Sequence, residues 1–386
     1  ETSVVEDQAA TEVAIDIAIL KYARAAQGGR LDPTEISKAF AQKPELRNPE
    51  TVLTDIFTAP EPDAYLRALH PKHQQFERLR QALLKARADG EGKAEDVKKL
   101  QANMERWRWM PSELGGTYVW LNIPEFTINV VKEGKTIETQ KAVVGSSNAP
   151  TPVLSAKLTA IEFNPYRVVP TSVIRRTVLP ELQKDRSWLG RGKALVLEKY
   201  QLEVTHKGKS IDPSKIDWDT VNVANLTFRQ APGPSNPMGK IQFLFPNSRD
   251  IDIHETIIPG ELKREVRSVG ESSPRIGAAE KLASVLLAED KGWNAAKIAK
   301  LVADGKNSTV KLGRPIPIHM AYFTMIADEQ GNVETLGDIY GLDAAVTAAV
   351  RGKAETTPAT AAPTPAPVPM PARSPKTEEG LATRSP

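Results

Sequence analysis

TYVWLNIPEFTINVVKEGKTIETQKAVVG, residues 117–145, decides the fold class of this 386-residue chain. Its alternation and its β-branched residues predict strands, with Glu133-Gly134-Lys135 as the hairpin turn between two of them. Upstream the pattern is helical. Residues 11–25, TEVAIDIAILKYARA, put Val13, Ile17, Leu20 and Tyr22 on one side at roughly helical spacing, and Gly28-Gly29 is the stop. In LDPTEISKAF, residues 31–40, Asp32-Pro33-Thr34 is a start signal for another helix. Residues 61–88 carry Tyr65, Leu66, Leu69, Phe76, Leu79, Leu83 and Leu84, and Pro71 breaks the run.

Downstream, LTAIEF (158–163), LVLEKYQLEV (195–204), IQFLF (241–245) and DIDIH (250–254) read as further β runs. Residues 277–304 return to helix, and 315–326 with 333–340 read as closing strands. From about residue 352 the chain is a Pro, Ala and Thr mixture that buries too little apolar surface to offset chain entropy, so a disordered tail is expected. The fold class is α+β: helices over 1–110, a mostly β domain with a helical insert over 111–350, and the tail over 351–386.

Lys and Arg exceed Asp and Glu by 51 to 48, a net charge of +3. That balance lacks the dense basic face of a nucleic-acid binder. No run approaches the ~18 apolar residues of a membrane-spanning helix. The sequence opens on Glu1 rather than Met, which fits a processed, exported chain. There is no Cys, which excludes disulfides, thiolate metal sites and a thiol nucleophile. Five His residues are scattered, His70-x-x-His73 reads as two exposed helix residues, and neither a metal nor a cofactor is expected. The six Trp (107, 109, 120, 188, 218 and 293) read as core or hinge residues, with Trp188 a candidate for a lid.

Chemistry concentrates in two places. His254 ends a strand in IQFLFPNSRDIDIHET, and a polar turn, GESSPR (270–275), follows before a helix. Acyl transfer needs a nucleophile within reach of a base, and backbone N–H groups that stabilise an oxyanion. The plainer reading is a structural histidine and a helix-capping serine turn.

FLFPNSRDIDIHET followed by RSVGESSPRIGAAEKLASVLL resembles the signature of the L,D-transpeptidase (YkuD-like) family: F-x-F-P-N, then H-x-T, then S-x-G-C, an aliphatic residue and Arg. YLRALHPKHQQFERLRQAL, ANMERWRWMP, VWLNIPEFTINVV and VVGSSNAPTPVLSAKLTAIEFNPYRVVPTSVI extend the likeness to large members with an amino-terminal scaffold domain, over roughly residues 10–345. Many of those carry a small peptidoglycan-binding insert where this chain has only KARADGEGKAEDVKKL, residues 85–100.

The resemblance implies a periplasmic or cell-envelope protein whose partners are peptidoglycan stem peptides. In active members a cysteine thiolate attacks the meso-diaminopimelate to D-alanine bond of a tetrapeptide stem, and the acyl group passes to an amine. Carried over, His254 is the base, Thr256 the threonine of H-x-T and Arg275 the arginine after the nucleophile. The backbone N–H groups of Glu271, Ser272 and Ser273 form the oxyanion hole. FRQAPGPSNPMGKIQFLFPN, residues 228–247, places Arg229 and Asn247 on the substrate side, and a strand-end salt bridge is the other reading of Arg229. The departures fall on one turn: Ser272 stands where the family has Gly, Ser273 where it has Cys, and Pro274 where it has an aliphatic residue. A hydroxyl must lose its proton during attack, whereas a thiol near pKa ~8.5 ionises beside a histidine. Ser272 is expected to strain a backbone angle that glycine would adopt. Two roles follow, an acyltransferase using Ser273 or a non-catalytic protein that binds stem peptide or an envelope partner.

Overall fold

The computed structural model describes residues 2–90, 93–184, 191–350 and 352. The tail and Trp188 lie outside the described residues.

Helix α1 (Thr2–Gly28) ends where Gly29 takes a φ of +81°, the left-handed position that favours glycine. The side expected to be apolar is not the buried one: Val13, Ile17 and Tyr22 are exposed. Ala23 and Ala26 are buried instead, against Val52 of α3 (Pro49–Thr58) and Leu69, because small side chains allow close approach there. Between them α2 (Pro33–Ile36) is a single turn capped by Asp32, whose side chain accepts from Thr34 N–H. Pro71 splits the next run into α4 (Pro62–Ala68) and α5 (Gln74–Ala88). His70 and His73 consequently sit half-buried in the break rather than exposed on a helix. His70 Nε2 bonds Tyr22 Oη and His73 Nε2 bonds the Pro111 carbonyl. Helix α6 (Ala94–Arg108) follows.

Strands then run β1 (Thr117–Asn122), β2 (Thr127–Lys132), β3 (Lys135–Gly145) and β4 (Leu154–Phe163). The β2–β3 hairpin turns at Glu133 (φ 48°) and Gly134 (φ 74°), two left-handed residues whose twist matches the strands. After β4 the chain leaves the sheet and builds a second, smaller unit over residues 164–238 with its own core of Ile174, Val178, Leu182, Trp218 and Phe228. It comprises β5 (Arg167–Val169), a helical run of α7 (Thr171–Val173), a π-helical turn and α8 (Leu179–Lys184), then α9 (Arg191–Lys199), β6 (Leu202–His206), β7 (Lys209–Ser210) and β8 (Thr227–Gln230). The strand expected over 195–204 is therefore half helix. Leu197 and Tyr200, three apart, are buried on one face, and Gln201 at φ 54° turns the chain into β6.

The chain returns through β9 (Ile241–Leu244), β10 (Ile253–Glu255), β11 (Ser268–Gly270) and β12 (Arg275–Ile276). Gly292 at φ 65° divides the helical stretch into α10 (Ala279–Lys291) and α11 (Ala295–Ala303). The long β13 (Ser308–Ala321), then β14 (Met325–Ala327), β15 (Val333–Thr335) and α12 (Leu342–Val350) complete it. Pairing runs β2-β3-β12-β10-β9-β4-β13-β1 and back to β2, so the sheet closes on itself and the strands of this ring have both neighbours. Its interior holds Leu121, Ile128, Ile161, Phe163, Phe243 and Leu286, each worth about 1.5–3 kcal/mol on burial.

Two joints hold the helices to this barrel. Phe40 bridges to Val153 and packs edge-on to Trp109 at 5.1 Å. Arg106 of α6 pairs at 2.7 Å with Asp343 of α12, in a network with Asn103 and Thr324.

Candidate functional site

The nucleophile turn and the histidine strand meet because β12 lies parallel beside β10, with His254 opposite Arg275 and Glu255 opposite Ile276. His254 N–H donates to the Pro274 carbonyl at 3.2 Å, and Thr256 N–H to Ile276 at 2.8 Å. Residues about twenty apart in sequence thereby come to lie side by side.

His254 is 8% exposed. Its Nδ1–H donates to the Glu255 carbonyl at 3.1 Å, which leaves Nε2 as the lone-pair nitrogen. Burial pushes its pKa below the usual histidine value, against the opposing pull of Asp252, so the ring is neutral at pH 7. Such a ring can accept a proton.

Ser273 Oγ, however, accepts from Asp252 N–H at 3.3 Å, and among the described residues it makes no hydrogen bond with His254. The carbonyl of Ser272 accepts from Thr151 Oγ1 at 2.8 Å. Thr151 Oγ1 in turn accepts from Gly145 N–H at 2.9 Å, and Tyr340 Oη donates to the Gly145 carbonyl at 2.7 Å. In a trans peptide the N–H points opposite to the C=O, so this bond fixes the direction of Ser273 N–H. The N–H groups of Glu271, Ser272 and Ser273 donate to no group among the described residues, as an oxyanion cradle requires. Ser272 does not have a positive φ, so the strain expected from replacing glycine is absent: the turn is held by hydrogen bonds to an ordinary backbone conformation. At Gly270 an added Cβ would lie 2.7 Å from Arg275 Nη2, so a larger residue there would push the Arg275 side chain aside.

Arg275 is tied to Thr256 through Glu261. Arg275 Nη2 is 3.1 Å from Glu261 Oε2, and Thr256 Oγ1 donates to the same oxygen at 3.4 Å. Two charged groups beside the turn keep unused capacity: among the described residues Asp252 Oδ1 and Arg275 Nε are buried without a hydrogen-bond partner, and Arg275 Nη2 has only its ion pair with Glu261. Asp252 Oδ2 accepts from Gln242 Nε2.

Comparison with known proteins follows this geometry. Residues 2–83 match the scaffold domain family, and residues 116–273 match the L,D-transpeptidase catalytic domain, YkuD. The chain carries a scaffold domain and an L,D-transpeptidase catalytic domain. A Haemophilus influenzae protein named "Putative L,D-transpeptidase" is 29% identical over 254 residues, which is 66% of this chain and 50% of that protein. The chain thus spans about half the length of the curated relative it matches.

Within this L,D-transpeptidase domain, His254, Thr256, Ser273 and Arg275 converge, while Arg229 and Asn247 have their polar groups engaged elsewhere. Arg229 Nε and Nη2 bond Glu203 at 3.0 and 2.9 Å, and its guanidinium lies 4.1 Å over Tyr166, the salt-bridge alternative of its two readings. Asn247 donates to the carbonyls of Phe245 and Ile251, both at 2.7 Å, and accepts from Arg249 N–H, which shapes its own loop. Sequence reasoning missed Thr151, Asp252, Glu261 and Arg167. Arg167, on β5 of the inserted unit, is half-buried and feels the charge of Glu271 in the turn. Thr151 and Arg167 lie in the long VVGSSNAPTP…NPYRVVP stretch of family likeness, the only signal that pointed to them.

Proposed function

We propose that this chain binds peptidoglycan stem peptides in the cell envelope through its L,D-transpeptidase domain, without cleaving them. The observation that carries the reading is the engagement of Ser273 Oγ with Asp252 N–H and not with His254. A neutral buried histidine can relay a proton but does not turn a hydroxyl into a standing anion, as it can a thiol. Asp252 and Arg275 place one negative and one positive charge beside the turn, which suits a zwitterionic stem peptide. The domain matches and the partial relative support the family assignment beneath this reading.

Titration calorimetry with a defined tetrapeptide stem tests it, run beside an assay for released D-alanine. Measurable heat with no D-alanine is the expected pair of results. D-Alanine released by the unaltered protein and lost in Ser273→Ala overturns it.

The free N–H groups of residues 271–273 favour a second reading. In it, Ser273 passes its proton to His254 Nε2 as Oγ attacks the diaminopimelate carbonyl. His254 then returns the proton to the departing D-alanine amine, leaving an ester for an acceptor amine.

A further inference from the structure

Away from His254 and Ser273, a cavity of about 280 Å³ opens between the outer wall of the barrel and its helical cover. Strand alternation builds the floor. Val119 and Leu121 of β1 face the barrel core, so Tyr118, Trp120 and Asn122 face outward. Asn129 of β2 lies opposite Trp120, and Thr136 of β3 opposite Val131. Trp107 of α6 and Phe323 close the other side.

Trp107, Trp120 and Phe323 are nearly parallel. Their interplanar angles are 12° for Trp107–Trp120, 15° for Trp107–Phe323 and 6° for Trp120–Phe323. Trp107 and Phe323, with centroids 4.3 Å apart, cover each other's faces and are 5% and 3% exposed, so the half-buried Trp120 is the most open ring of the stack; this is not the set of angled walls of a cage around an ammonium group. A single open indole suits a flat ligand face. Around it, Tyr118 Oη, Trp120 Nε1 and the Thr136 hydroxyl make no hydrogen bond among the described residues. The Asn129 amide uses only its oxygen, which accepts from Thr139. Neither Lys nor Arg lines the cavity, which disfavours phosphate or carboxylate ligands. Its one charged lining group is Glu125.

We propose that this cavity is a binding site for a single pyranose ring of a neutral sugar, stacked on Trp120 and hydrogen-bonded through its hydroxyls to Tyr118, Asn129, Thr136 and Glu125. The volume sits just below the ~300–1,000 Å³ span of small-molecule pockets, enough for one sugar ring and too small for a tetrapeptide. Tyr118, Asn129 and Thr136, which otherwise face water, exchange it for the sugar's hydroxyls, an exchange that an apolar ligand does not offer. The site shares no residue with the turn at 271–275, so it stands whether or not stem peptides bind there.

Saturation-transfer NMR on the full chain tests this with N-acetylglucosamine, its β-1,4-linked trimer and, as the cationic contrast, choline. The sugars should give saturation transfer at roughly 10 mM, where a millimolar site is well filled. Trp120→Ala should weaken sugar binding about tenfold, and Tyr118→Phe and Thr136→Val, which leave the packing in place, about threefold each. Ser273→Ala should leave it unchanged. Absence of sugar signal, signal from choline alone, or sugar binding untouched in both Tyr118→Phe and Thr136→Val would each overturn the proposal.

Discussion

The turn at residues 271–275 and the cavity on the barrel's outer wall differ in which polar groups they leave unpaired. Beside the turn the spare groups are charged, Arg275 Nε and Asp252 Oδ1, and the neutral ones are engaged: Thr151 on Ser272, Ser273 on Asp252. In the cavity the spare groups include the neutral Tyr118, Trp120 and Thr136, and Asn122 is clamped to Phe323 at both ends of its amide. The charged atoms at the turn are buried, where a missing partner is costly, whereas the cavity's groups reach water. The two proposed ligands follow that difference, a zwitterion at the turn and a hydroxyl-rich ring in the cavity.

The strongest way to break the comparison is to restore the family's residues at the turn. Ser272→Gly with Ser273→Cys should bring D-alanine release from tetrapeptide stems to about 10³-fold or more above the background seen with the unaltered protein, roughly 4 kcal/mol in barrier, and leave sugar binding unchanged. No gain in that assay would mean that the turn has lost more than its nucleophile.

Arg106 is shared by both regions. It precedes Trp107 of the cavity and lies 5.2 Å over the Tyr322 ring, whose hydroxyl accepts from Tyr340 N–H below the turn. Arg106→Ala leaves Asp343 buried and uncompensated, so a loss of about 3–5 kcal/mol is expected in denaturant unfolding. A loss below ~1 kcal/mol would show that the pair is not a joint between helices and barrel.

Glu125 sharpens the cavity side. Burial, with Glu334 adding repulsion, pushes its carboxyl up to about 6. A raised carboxyl pKa stabilises the fold at pH below about 4.5, and that contribution is lost as pH rises through about 6. Glu125→Gln should therefore gain up to about 2 kcal/mol at pH 7 and nothing at pH 4, as read from urea melts at the two values. A pH-independent difference would place Glu125 in solvent.

The smallest effect belongs to Thr151→Val, which removes the bonds to the Ser272 carbonyl and the Gly145 N–H and should cost about 1–2 kcal/mol. Added to the double substitution Ser272→Gly with Ser273→Cys, it should also lower turnover with little change in KM, since a merely structural loss would not select the chemical step.

Much of the architecture is legible in the sequence, because strand alternation and helix punctuation are local. The Glu133-Gly134 hairpin, the Pro71 break and the onset of strands at Thr117 all lie where the pattern puts them. The buried face of α1 escapes the pattern because alanine, not valine or isoleucine, makes its contacts. The 164–238 unit is invisible as a unit because its separate core is a property of packing. At the site, motif matching finds His254, Thr256 and Arg275 but not Glu261, which joins two of them. Its five-residue distance from Thr256 has meaning only once the turn of Pro259–Lys263 is formed.

Closure of the barrel has a kinetic cost as well. Strand β1 pairs in parallel with β13, Val119 opposite Ile318, about 200 residues apart. Every strand between them, and the whole 164–238 unit, is made before that seam can form. The ring is thus completed late, by a contact of very high sequence separation, and loop-closure entropy makes such contacts slow. Until then β1 and the hairpin that follows it expose an unpaired edge, so the growing chain is most prone to aggregate in the interval before residue 318 arrives.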